Sequence, residues 1–193
     1  MDEIAIGTNN DGQDNGTSGG EKWASVVNAV VSWVEDSDIG QVLIVGANDI
    51  EVWSDPPVAG DPAGTEDWVA GFATGGPLFY DFGSANGCPE TTHGNGRCEG
   101  EWYQHDYWYV SWGASAALAV PEVCYDSGAE QWGEISAYGS EYENSTILFT
   151  SPFSEYLRDS GCLTTAEAWN ALETYSDESQ GFEYNMQIAA GYV

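Results

Sequence analysis

Asp49 and Glu51 stand two residues apart in the run VGANDIEVW, residues 45–53. On an extended chain, side chains at i and i+2 project to the same side, so these two carboxyl groups can meet at one site. Two carboxyls that close do not both ionise easily, and one is driven up toward the range of a general acid. Glu122, in the segment PEVCY at residues 121–125, offers a third carboxylate at the end of another apolar run. Other chemistries lack their residues. The only histidines are His93 and His105, and no Ser sits in a GxSxG elbow, so a Ser-His-Asp hydrolase is not expected. Cysteine catalysis lacks a placed base in the same way. No CxxC pair accompanies the histidines, so neither zinc, another metal nor a cofactor is expected. The loop carrying Asn9, Asn10, Asp11, Gln13 and Asp14 is rich in oxygen atoms but does not end in the Glu of an EF-hand, and it reads as a solvated turn. Neither GxGxxG nor GxxxxGK(S/T) follows the first apolar run, which leaves a nucleotide-binding domain without its phosphate cradle.

Such carboxylates must be positioned by the elements around them. Six short apolar, β-branched or aromatic runs read as buried strands: Ile4–Gly7, Gln41–Val45, Pro77–Phe82, Ala117–Val123, Thr146–Thr150 and Tyr184–Ile188. Between them lie helical patterns. Trp23, Val26, Val27, Val30, Val31 and Val34 share one helical face, and Trp68, Val69 and Phe72 mark a shorter helix. Capping-box patterns at Ser18 with Glu21, Ser127 with Glu130 and Thr164 with Glu167 predict three helix starts. Trp23, Trp33, Trp132 and Trp169 are expected to pack helices onto the sheet, while residues 102–112 fit either a helix or an alternating strand. The strand starts recur every 28 to 40 residues, the length of a strand plus a returning helix. The expected fold is therefore α/β, one parallel (β/α)-repeat domain over residues 1–193 with six strands. Eight units would need a longer chain, so it reads as an incomplete or truncated TIM-type barrel. In parallel α/β folds the active site lies at the carboxyl ends of the strands, which is where Asp49, Glu51 and Glu122 fall.

Composition narrows the partners. Lys and Arg total 3 against 32 Asp and Glu, giving a formal charge of −29. Nucleic acid and other strongly anionic ligands need basic clusters that this chain does not have. Scattered acids repel one another in dilute buffer and are screened in molar salt, so the chain reads as halophilic. It is not a disordered acidic tail, because 42% of its residues are hydrophobic and 13% aromatic. No stretch approaches the ~20 apolar residues of a membrane span. Cys88 and Cys98 bracket a Pro, Gly and Asn-rich loop and are expected to form a local disulfide; a second bridge between Cys124 and Cys162 rests on parity alone. Disulfides imply an extracellular location, and any export signal has been removed or lies upstream of Met1.

The run LIVGANDIEVW resembles the strand-end Asp-x-Glu signature of the (β/α)-barrel glycoside hydrolases, as in the family-18 chitinases and family-25 muramidases. A wider set, GTNN, GANDIE, FYDFGSANGC, ALAVPEVCYDSGAEQWGEIS and the terminal YNMQI, is similar to secreted bacterial barrel-like proteins of unassigned activity and covers most of the chain. The resemblance implies Glu51 as general acid with Asp49 as its partner, and places Tyr80 and Asp81 where such barrels bring further polar groups to the cleft. The longer chitinase pattern DxxDxDxE is not met, since Ala47 stands at one of its Asp positions. Trp53, directly after the pair, would stack on a sugar ring; Trp102, Tyr107, Trp108 and Trp112 are further aromatic candidates. The expected function is a secreted glycoside-hydrolase-like protein that binds or hydrolyses a neutral or amino-sugar polysaccharide at high salt. The alternative is a non-catalytic extracellular structural or assembly protein, self-associating to cover open sheet edges.

Overall fold

The structure, a computed structural model, describes residues 2–9, 16–51, 61–91, 94–156 and 159–176. The first two apolar runs form the longest strands, β1 (Asp2–Asn9) and β2 (Val42–Asp49), paired in parallel over their whole length from Asp2 opposite Val42 to Asn9 opposite Asp49. The next two give shorter strands, β3 (Phe79–Asp81) and β4 (Ala117–Ala119). All four pair in parallel in the order β1-β2-β3-β4, as consecutive β/α units place them.

The fifth expected run, Thr146–Thr150, is not a regular strand. From its last residue onward the chain nevertheless bonds beside β4: the Thr150 amide donates to the Ala119 carbonyl, the Phe153 amide to Pro121, and the Val123 amide to Phe153, with Glu122 and Phe153 forming a parallel bridge. Pro121 and Pro152 interrupt this stretch, and a proline cannot donate to a ladder, which explains pairing in isolated bonds. The sixth run, Tyr184–Ile188, lies outside the described residues.

Helices return the chain between strands: α1 (Thr17–Asp36), α2 (Pro62–Ala73), α3 (Gln104–Trp108), α4 (Asp126–Tyr142) and α5 (Thr165–Tyr175). The ambiguous segment 102–112 resolves as helix, α3 running directly into a π-helical turn, Tyr109–Gly113. Of the three predicted capping boxes only Thr164 with Glu167 forms, each side chain accepting from the other's backbone amide. Helix α1 begins at Thr17 behind Gly16, whose φ of 89° favours glycine, so Ser18 is already helical. Helix α4 begins at Asp126 behind Tyr125, which likewise puts Ser127 inside the helix. An unforeseen cap starts α2, where the Asp61 carboxylate accepts from the Gly64 amide ahead of Pro62.

Period-2 alternation divides the sheet's side chains between two faces. Ile44, Phe79, Ala117 and Ala119 meet the helices in the main core, with Trp68, Phe72, Trp132 and Ile135. Helices α1 and α2 cross at backbone contact: a Cβ on Gly20 would lie 1.9 Å from the Trp68 carbonyl, and one on Gly71 2.2 Å from that of Thr17. On the opposite face Val45, Ala47, Tyr80, Val120 and Phe153 form a second, smaller apolar cluster, with Phe82 and Leu118 against it. Trp33 departs from its expected packing role, being 61% exposed. Trp132 is fully buried, whereas Trp23 and Trp169 are half-buried.

Candidate active site

The smaller cluster is the floor of the site. Ala47, Tyr80 and Leu118 are register partners across β2, β3 and β4, so their side chains share one level on the face away from the helices. Tyr80 is held there by its hydroxyl, which donates to Glu3 on β1. Two residues further along β2, on the same face, comes Asp49 at the strand's carboxyl end. Phe82 belongs to this end as well, its amide donating to the Asn48 carbonyl and its ring meeting Phe153 edge-on at 5.7 Å.

Beyond Asp49 the chain continues to Glu51, whose Oε1 accepts from both the amide (3.3 Å) and the hydroxyl (2.5 Å) of Ser84. Two donors on one oxygen fix the direction of that carboxylate. Across the sheet, the Glu122 amide donates to the Gly83 carbonyl and Glu122 bridges Phe153. Glu155 follows Phe153 by two residues, repeating the spacing that separates Asp49 from Glu51.

These groups act on one another. Burial pushes the Asp49 carboxyl up from 3.8 to about 8, and the fields of Glu51, Asp81, Glu122 and Glu155 all push in the same direction. Asp49 is therefore mostly a neutral acid at pH 7, surrounded by carboxylates contributed from four places in the chain. Such an arrangement can deliver a proton from Asp49 while another carboxylate accepts one or meets a developing positive charge.

Asp81 has a different position from its neighbour Tyr80. It projects toward the helices, is fully buried, and its Oδ1 accepts from the amides of Gly83 (3.1 Å) and Ile50 (3.4 Å) while Oδ2 accepts from the Ser111 hydroxyl. Burial dominates those three hydrogen bonds and raises it to about 7. Asp81 thus ties Ile50, the residue between Asp49 and Glu51, to the loop after β3 and to the π-helical turn. Gly83 allows this closeness: a Cβ there would lie 2.0 Å from the Ile50 carbonyl oxygen.

The structure so brings Asp49, Glu51 and Glu122 into one electrostatic group and sets Tyr80 beneath them. Trp53 lies outside the described residues, as do Asn10, Asp11, Gln13, Asp14 and His93. Trp102, Tyr107 and Trp108 are buried in the main core, so they offer no face to a sugar, and Trp112 is half-buried with its indole N–H donating to the Ser145 hydroxyl. Glu155 and Glu3 were missed by sequence reasoning. Period-2 continuation through Ser151, Phe153 and Glu155 carries the signal for the former; nothing in the sequence singles out Glu3.

Both cysteine pairs are bonded, Cys88 to Cys98 and Cys124 to Cys162, and the second bridge places the start of α4 beside the segment that leads into α5. Comparison with protein-family models, with curated proteins and with solved structures found no match. Among the described residues, no helix is long and apolar enough to cross a membrane.

Proposed function

We propose that the protein is a glycoside-hydrolase-like protein acting on a neutral or amino-sugar polysaccharide, with Asp49 as proton donor. One observation carries this reading: a carboxyl group raised to about 8 at the carboxyl end of a parallel strand, inside a group of other carboxylates. Glycosidic cleavage needs a protonated acid at the leaving oxygen and a second carboxylate that acts as base or nucleophile toward the anomeric carbon. Asp49 meets the first need. Glu51, directed by Ser84, or Glu122 meets the second. This exchanges the roles implied by the family resemblance, in which Glu51 is the acid. An uncharged glycan suits a site whose surroundings are anionic, because no substrate charge opposes the chain's −29.

The sequential parallel sheet, helices on one face and a small apolar cluster on the other, supports a TIM-type barrel of six β/α units as the parent architecture. Two disulfides support an extracellular location, and the charge supports a high-salt medium. A second reading, a non-catalytic extracellular assembly protein, draws on β1, whose eight residues pair only with β2 among the described residues.

The test is release of reducing ends from chitin, peptidoglycan and β-glucan in molar KCl. Wild type is expected to turn over one of them, Asp49→Asn to lose turnover while still binding, and Glu51→Gln to lose it as well. A wild type that neither cleaves nor binds any of the three contradicts the enzyme reading and favours the assembly protein.

A further inference from the structure

A second group of donor atoms lies on helices α2 and α3. Glu66 on α2 and His105 and Asp106 on α3 bring one carboxylate oxygen each and an imidazole nitrogen within 4.8 Å of one another. His105 Nδ1 is 3.5 Å from Asp106 Oδ1 and 3.9 Å from Glu66 Oε1. Donors bound to one zinc ion at about 2.0 to 2.2 Å stand roughly 3.4 Å apart in a tetrahedron, so the imidazole–Asp106 pair is already at ligand spacing and Glu66 needs only a small inward movement.

The surroundings hold these donors in place. The imidazole stacks on Tyr109 at 6.4 Å and 17°, and Tyr138 meets it edge-on at 6.0 Å. The His105 amide donates to the Asn95 side chain, and the other oxygen of Asp106 accepts from the Tyr103 amide at 2.7 Å. A carboxylate whose second oxygen is engaged by the backbone presents the first in a fixed direction, as supporting groups do at metal centres. All three donor residues are partly exposed, with His105 at 37% and Glu66 at 31%, which leaves an open side for entry and for a water ligand. The Glu66 and Asp106 carboxyl groups also oppose each other directly here, with the imidazole nitrogen beside both, and a divalent cation would neutralise that opposition.

We propose that Glu66, His105 and Asp106 form a binding site for a divalent transition metal ion of the zinc class. One nitrogen and two oxygen donors suit zinc and its neighbours better than calcium or magnesium, which take oxygen ligands almost alone. The absence of a CxxC pair does not bear on such a site, since its third ligand comes from α2, some 40 residues before the other two. A bound ion would clamp α2 to α3 and so steady the π-helical turn that presents Ser111 to Asp81.

Zinc binding to the full chain is measured by titration calorimetry in molar KCl, which suppresses loose association with the remaining carboxylates. Cobalt spectra report nitrogen ligation. One equivalent is expected, with affinity at least about tenfold weaker in His105→Gln and in Glu66→Gln, cobalt bands lost in His105→Gln, and His93→Gln unchanged. Neither variant removes the Asp106 contact that starts α3, and far-UV circular dichroism checks their folding. No zinc binding by wild type, binding unaltered in His105→Gln and Glu66→Gln, or binding lost only in His93→Gln overturns the proposal.

Discussion

Replacing Asp49 by Asn should stabilise the fold at alkaline pH and flatten its pH dependence. Asp49 has an ordinary value of 3.8 in the unfolded chain and about 8 in the folded one. Between these values the folded protein binds a proton that the unfolded chain releases, so stability is fully present below about pH 4 and declines as pH rises through 8. The gap of about 4 pH units, at ~1.36 kcal/mol per unit, sets a ceiling of roughly 6 kcal/mol. The window between pH 5 and the folded value of about 8 spans about 3 of those units, or about 4 kcal/mol. An amide at position 49 keeps the shape without the charge. Urea denaturation of wild type and Asp49→Asn at pH 5 and pH 9, in the same molar KCl, gives the difference directly. Wild type should lose about 4 kcal/mol more than the variant between the two pH values. Equal losses would refute the claim that Asp49 is held protonated by its surroundings.

Gly83→Ala should destabilise the protein by about 1 to 3 kcal/mol in denaturant melts, because its methyl group meets the Ile50 carbonyl oxygen, and the displaced 49–51 segment should lose its elevated Asp49 titration. Removing the Cys124–Cys162 pair should cost about 4 kcal/mol and the Cys88–Cys98 pair about 3, following the loop-entropy dependence on separations of 38 and 10 residues. Paired Cys→Ala variants compared in chemical denaturation check the order. A charge of −29 should make the melting temperature rise steadily from 0.1 M to 2 M KCl, and a salt-independent value would remove the high-salt reading.

Much of this architecture is written in periodicity. The period of 2 through Val45, Ala47, Asp49 and Glu51 gives both the buried floor and the carboxylates above it, and Thr164 with Glu167 marks a helix start through purely local hydrogen bonds. The same period separates Tyr80 from Asp81, so adjacent residues assigned together to a cleft end on opposite faces of β3. Ser18 and Ser127 carry the same motif as Thr164 but start no helix, since Gly16 and Tyr125 take the cap positions two residues earlier. Trp33 shows the converse limit: its type suggests the core, yet position on α1 leaves it in solvent. The proximity of Glu66 to His105 is set by how α2 meets the segment of α3 and its π-helical turn, and has no local signal at all.

Asp49 holds a proton near neutrality within a group of carboxylates. An NMR titration of the aspartate side-chain Cγ resonances, isotope-labelled and assigned through Asp49→Asn, reads that proton at its own atom. One resonance should titrate near 8 and vanish in Asp49→Asn, beside the Asp81 resonance near 7. An Asp49 resonance that titrates below about pH 5, like an exposed carboxylate, would contradict it.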